Sequence, residues 1–131
     1  FVGLTTLLHS ISLQTRMETT IVTEPILKAD LAVMARGQFG DFVKAVVGVS
    51  REMMAIGGEL HSDEEAILLE RGSAQADLWG INLHPEKSAG EWIEFDSMIN
   101  IRPSQGNRSR GVEEQSLREK IKIIVHKWVR E

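Results

Sequence analysis

The 131-residue sequence contains no cysteine. That removes disulfide frameworks, thiolate metal sites and cysteine nucleophiles together, and it fits a reducing, cytoplasmic location. Tyrosine is also missing, and only three Trp and four Phe are present. So few aromatics lower the expectation of an RNA partner, because single strands are held by stacking platforms. No run approaches the roughly 18 apolar residues that span a bilayer, so no membrane partner is expected. A basic excess is absent too: 15 Lys+Arg stand against 19 Asp+Glu, a net charge of −4. A surface that grips nucleic acid or anionic lipid as a whole is thereby excluded. No Gly-x-Ser-x-Gly, dinucleotide fingerprint or His-Glu-x-x-His occurs, and no cofactor is implied.

What is present suffices for a folded domain. The 42% hydrophobic content excludes wholesale disorder, and a chain of this length buries about two-thirds of its surface on folding. The net charge hides a partition. Residues 51–96 hold 3 basic and 11 acidic residues, whereas residues 97–131 hold 8 basic and 4 acidic. Such asymmetry marks either a site or two parts of one fold that neutralise each other.

Residues 1–16 contain no Asp, Glu or Lys, and Met17 opens a stretch of ordinary composition. They lack the basic start, long apolar run and cleavage site of a secretory signal. The expected division is an N-terminal extension over 1–16, from a mis-set start or non-native sequence, and a single domain over 17–131. Leu4, Leu7, Leu8 and Ile11 would share one helical face, a stripe that needs a partner surface such as a second copy of the chain.

Beyond Met17 the pattern alternates between strand and helix periods. Thr19–Thr23 predicts a short strand, with Pro25 in the first turn of a helix that carries Leu27, Leu31, Met34 and Ala35 on one face and stops at Gly37. Phe42–Val49 predicts a buried strand, turned through Ser50-Arg51 into a second one over Met53–Ile56. Gly57-Gly58 predicts a bulge or a close backbone approach. Ser62-Asp63-Glu64-Glu65 matches a capping box with Ser62 as N-cap, opening a helix that runs to Gly72. Leu78–Leu83 predicts a strand, and Trp92–Ile101 a long one with Glu94, Asp96 and Asn100 on its polar face. A last helix over Glu114–Arg130 buries Leu117, Ile121, Ile124, Val125 and Trp128. The order β-α-β-β-α-β-β-α predicts an α+β domain, a mostly antiparallel sheet of about five strands with three helices packed on one side.

The segment Arg102–Gly111 holds three Arg, four neutral polar residues, two Gly and no acid. Arginine forks match phosphate or carboxylate oxygens, and the following helix N-terminus adds its dipole. Asn100, Arg102, Ser104, Gln105, Asn107, Arg108, Ser109 and Arg110 are therefore the candidate ligand-binding residues for an anionic or phosphorylated small molecule. The alternative is pairing of these arginines with carboxylates such as Glu113 and Glu114. A second cluster, Glu59, His61 and Asp63, is a candidate divalent-metal set. His61, Asp63 and Asp96 are the candidate catalytic residues, with His61 as base. Capping and helix-dipole complementarity account for the same acidic residues without any site.

Four runs carry a family likeness: Gln38–Val47, Met54–His61, Leu78–Leu83 and Ile93-Glu-Phe-Asp-Ser-Met-Ile-Asn-Ile-Arg-Pro-Ser-Gln-Gly-Asn-Arg-Ser-Arg-Gly111. From about Thr20 to the end the sequence resembles a small prokaryotic family catalogued only as a domain of unknown function. The resemblance implies a compact cytoplasmic protein and assigns no activity. Three readings follow: an anion-binding module using the 102–111 loop, a small hydrolase or phosphoryl-group enzyme at Glu59, His61, Asp63 and Asp96, and a homo-oligomer in which that loop meets the acidic segment of another copy.

Overall fold

Three valines, Ala45 and a single Lys44 along residues 43–48 make the centre of the sheet. In the computed structural model, which describes residues 18–131, Val43–Gly48 (β3) lies between Met53–Ile56 (β4) and Leu78–Leu83 (β5), antiparallel to both. Thr20–Ile21 (β1) pairs with β4, and Ile93–Glu94 (β6) with β5, giving the order β1-β4-β3-β5-β6. Ile26–Leu27 (β2) and Val129–Arg130 (β7) form a separate parallel pair. Three helices complete the α+β domain: Lys28–Arg36 (α1), His61–Glu70 (α2) and Gln115–Trp128 (α3). The proposed extension over 1–16 and its leucine stripe lie outside the described residues.

The sheet's two faces are covered unequally. On one, Val43, Ala45, Val47, Trp79 and Ile81 pack with Leu31 and Ala35 of α1 and with Ile121, Ile124 and Val125 of α3. On the other, Val46, Ala55 and Leu78 meet Leu68 of α2. The helices therefore occupy both sides, not one. The reason is that β3 and β5 are apolar at nearly every position, so each of their faces needs cover.

Four further local expectations are corrected. Pro25 precedes β2 instead of entering α1, because Ile26 and Leu27 first pair with the chain's last strand. For the same reason α3 ends at Trp128, where Val129 turns to extended backbone. Ser62 is not an N-cap: α2 begins at His61, Leu60 occupies the cap, and no side chain caps the helix. The backward reach comes instead from Glu64, whose carboxyl Oε2 accepts the Gly58 N–H at 3.0 Å. Finally, the long strand over 92–101 stops at Glu94. Ser97 Oγ accepts the Ile99 N–H at 3.3 Å and opens a 3-10 turn over Met98–Asn100, a local bond of the kind that competes with sheet pairing.

Ending that strand early exposes the edge of β5, and side chains close it. Asn100 is fully buried. Its Oδ1 accepts the Gly80 N–H at 2.8 Å, and its Nδ2 donates to the Gly80 carbonyl at 3.0 Å, as a neighbouring strand would. Arg102 donates to the carbonyls of Leu78, Ile99 and Gln75 and lies 4.4 Å over the Trp79 ring.

Candidate functional site

Antiparallel register puts three polar side chains in one row across the sheet. Lys44 on β3 is opposite Asn82 on β5, and Asn82 is opposite Glu94 on β6. Side chains of directly opposed residues share a face, and this face is the one α2 covers only in part. Beyond the end of its small apolar core, a cleft of about 440 Å³ opens between sheet and helix. Lys44, His61, Ser62, Asn82, Asp96 and Arg110 line it together with Glu94, and Leu60 and Met98 form its lips.

His61, the first residue of α2, reaches down onto β5. Its Nε2 lies 2.8 Å from the Ile81 carbonyl. A carbonyl only accepts, so the neutral ring carries its proton on Nε2 and keeps a lone pair on Nδ1. Burial is the largest influence on the ring and holds its pKa below the usual 6.5, with Lys44 adding to the depression. The Ile81 carbonyl, the Asn82 side chain and the Asp96 charge act in the opposite direction. Gly80 makes room beneath the ring: a Cβ there would lie 2.5 Å from Ser97 Cβ and 3.2 Å from His61 Cδ2.

The acidic wall is built by hydrogen bonds that fix it. Glu94 Oε1 accepts from Asn82 Nδ2 at 3.0 Å and from His84 Nε2 at 2.9 Å. The His84 bond is the chief reason its pKa lies below the usual carboxylate range. Asn82 Nδ2 also donates to the Asp96 carbonyl at 3.3 Å. Both neighbours of that nitrogen are acceptors, which sets the amide's orientation and leaves the buried Asn82 Oδ1 without a donor. Arg110 Nε donates to Asp96 Oδ1 at 2.6 Å. Lys44 Nζ donates to the Glu59 carbonyl at 3.0 Å and sits 4.9 Å over the Phe39 ring.

The sequence-predicted residues are thus divided. His61, Asp96 and Arg110 meet in the cleft. Asp63 and Glu59 are exposed outside its lining, and among the described residues no group of three or more His, Asp or Glu stands close enough to hold a metal ion. The 102–111 loop mostly binds itself. Asn107, buried, donates to the carbonyls of Asn100 at 2.8 Å and Gly111 at 2.7 Å, and accepts the Glu113 N–H at 2.9 Å. Glu113 Oε2 accepts the N–H groups of Arg108 and Ser109, both at 2.8 Å. Gln105 bridges Arg102 and the Ala76 carbonyl, while Ser104 and the Arg108 side chain are exposed. Asn100, Arg102 and Asn107 spend their side-chain donors on backbone carbonyls of the fold. Lys44, Asn82 and Glu94 were not singled out from sequence, although a Lys and an Asn inside otherwise apolar strands are a signal that could have found them.

Fold and site together define a small α+β domain with a polar cleft at one end of a mainly antiparallel sheet. The chain belongs to the family described as protein of unknown function (DUF5674), which matches residues 20–128. No curated protein and no solved structure matches it. Among the described residues no helix is long and apolar enough to cross a membrane.

Proposed function

We propose that this protein is a binding module for a small anionic ligand, a phosphate or carboxylate compound, seated in the cleft and not on the crest of the 102–111 loop. One observation carries the reading: the Lys44 ammonium, the Arg110 guanidinium and the uncapped N-terminus of α2 converge on one concave surface. A helix start without a side-chain cap leaves N–H groups and the positive end of its dipole for a ligand. Ser62, relieved of capping, adds a hydroxyl. Of the two acids in the first turn, Glu64 does not discharge it, because burial raises its pKa to about 9 and keeps it neutral at pH 7, and Asp63 is exposed outside the cleft's lining. Of the loop's three arginines, Arg110 alone contributes.

Calorimetric titration and thermal shift with inorganic phosphate and citrate test this. A ligand at a hundred times its Kd should stabilise the fold by about 2.7 kcal/mol. Lys44→Gln and Arg110→Gln should each weaken binding several-fold, and Arg108→Gln should leave it unchanged. No stabilisation of the wild type by any anion sinks the reading, and loss of binding in Arg108→Gln returns the site to the loop.

A second reading, a hydrolytic or phosphoryl-group enzyme, is favoured by His61. Its ring is oriented by the Ile81 carbonyl, uncharged at neutral pH and placed beside the proposed anion seat. The Nδ1 lone pair would take a proton from water or a substrate hydroxyl, and Asp96 would stabilise the imidazolium formed. Turnover of p-nitrophenyl phosphate or p-nitrophenyl acetate should vanish in His61→Gln while phosphate binding persists. Unchanged turnover in that variant would exclude His61 as the base.

A further inference from the structure

We propose that the ligand is a zwitterion, with an ammonium group beside its phosphate or carboxylate; this rests on the anion seat described above. The cleft presents both signs of charge on separate walls. Lys44 and the start of α2 form the cationic side, Glu94 and Asp96 the anionic side, and Arg110, bonded to Asp96, stands between them. Each carboxylate uses one oxygen internally: Glu94 Oε1 holds Asn82 and His84, and Asp96 Oδ1 holds Arg110. Among the described residues no donor reaches Glu94 Oε2 or Asp96 Oδ2, so two acceptor oxygens remain for a cation. The floor between the walls is polar as well. Asn82, only 7% exposed, lies in the floor between these walls, and its side chain favours the charged form of the His61 ring. An ammonium supplies three donors, enough for the two free carboxylate oxygens that flank this floor. The lips explain the remainder of the ligand: Leu60 and Met98 are 55% and 65% exposed, and a short carbon chain joining the two charges would cover both.

Matched probes separate this from simple anion binding. O-phosphoethanolamine and ethyl phosphate carry the same anion and differ in the ammonium; β-alanine and propionate make the corresponding carboxylate pair. In the wild type the ammonium-bearing member of the pair that binds should be tighter by about tenfold, the worth of one added charge-assisted hydrogen bond. Glu94→Gln keeps an oxygen for Asn82 and His84 but replaces the free acceptor by a donor, and should erase the preference without loss of the fold by circular dichroism. Equal affinity within both pairs, with inorganic phosphate still bound, overturns the zwitterion and leaves the anion seat standing. A preference that survives in Glu94→Gln and in Asp96→Asn overturns the assignment to these carboxylates. Failure of every probe, inorganic phosphate included, removes the anion seat and the zwitterion together.

Discussion

Glu64 is fully buried against Gly58 and has one oxygen, Oε1, without a partner. Burial raises its pKa from 4.5 to about 9, so the folded state holds a proton that the unfolded chain releases in the ordinary carboxylate range. Stability is then greatest below pH 4.5 as far as this group is concerned, and falls as the pH rises towards 9. Glu64→Gln keeps an acceptor for the Gly58 N–H and removes the titration. Its melting temperature, followed from pH 5 to 9, should decline less than that of the wild type; parallel curves would show that Glu64 ionises without cost. His61 offers a second titration. Its pKa lies below the usual value, and Lys44 is one cause. An NMR titration of the ring should give a midpoint below 6.5, shifted upward in Lys44→Gln.

At the scale of elements, the end of β6 shows how side chains take over from a strand. Asn100 makes three hydrogen bonds, two to Gly80 and one to the Arg110 carbonyl at 2.8 Å. Truncation leaves buried backbone groups unpaired, at about 1–3 kcal/mol for each such group. Asn100→Ala should therefore lower unfolding free energy in urea by about 2–4 kcal/mol, and Asn100→Asp should do no better, since it sets an acceptor against two carbonyls. A loss under about 0.5 kcal/mol would mean that water replaces the amide. The five strands of the main sheet, the helix centres and their order were legible in the sequence because they follow from periods of 2 and 3.6; the β2–β7 pair was not, because it joins segments about a hundred residues apart. The interruption at Ser97 was not. Ile93, Phe95, Ile99 and Ile101 keep a strand period, and the competing bonds of Asn100 depend on Gly80, which is distant in sequence. The capping box failed similarly: Ser62 has the right spacing, but burial of Glu64 under Gly58 starts the helix at His61.

For the whole molecule, the consequence is a separation of stability from binding. The larger core lies between the sheet and α1 with α3, and the cleft lies on the opposite face beside α2. Val125→Ala, in the larger core, should cost about 1–3 kcal/mol and leave phosphate affinity within twofold. A matching loss of affinity by calorimetry would place the site across the sheet. Binding itself should weaken as ionic strength rises, since the seat is open to solvent and its charges are screened.

The hydrophobic periods of the sequence determined an α+β domain by themselves, because local repeat decides which surfaces must be buried, while composition and charge narrowed the chemistry and the partners. They also drew notice to His61, Asp96 and Arg110. What the tertiary structure alone decided is that these three meet, and that Lys44, Asn82 and Glu94 join them. Strand register and the placement of α2 set those contacts, and both arise from pairing between segments tens of residues apart. The charge asymmetry had suggested a cationic loop facing an acidic segment. In the fold, that loop spends its arginine at 102 and its amides on β5 and on itself, and sends only Arg110 to the cleft.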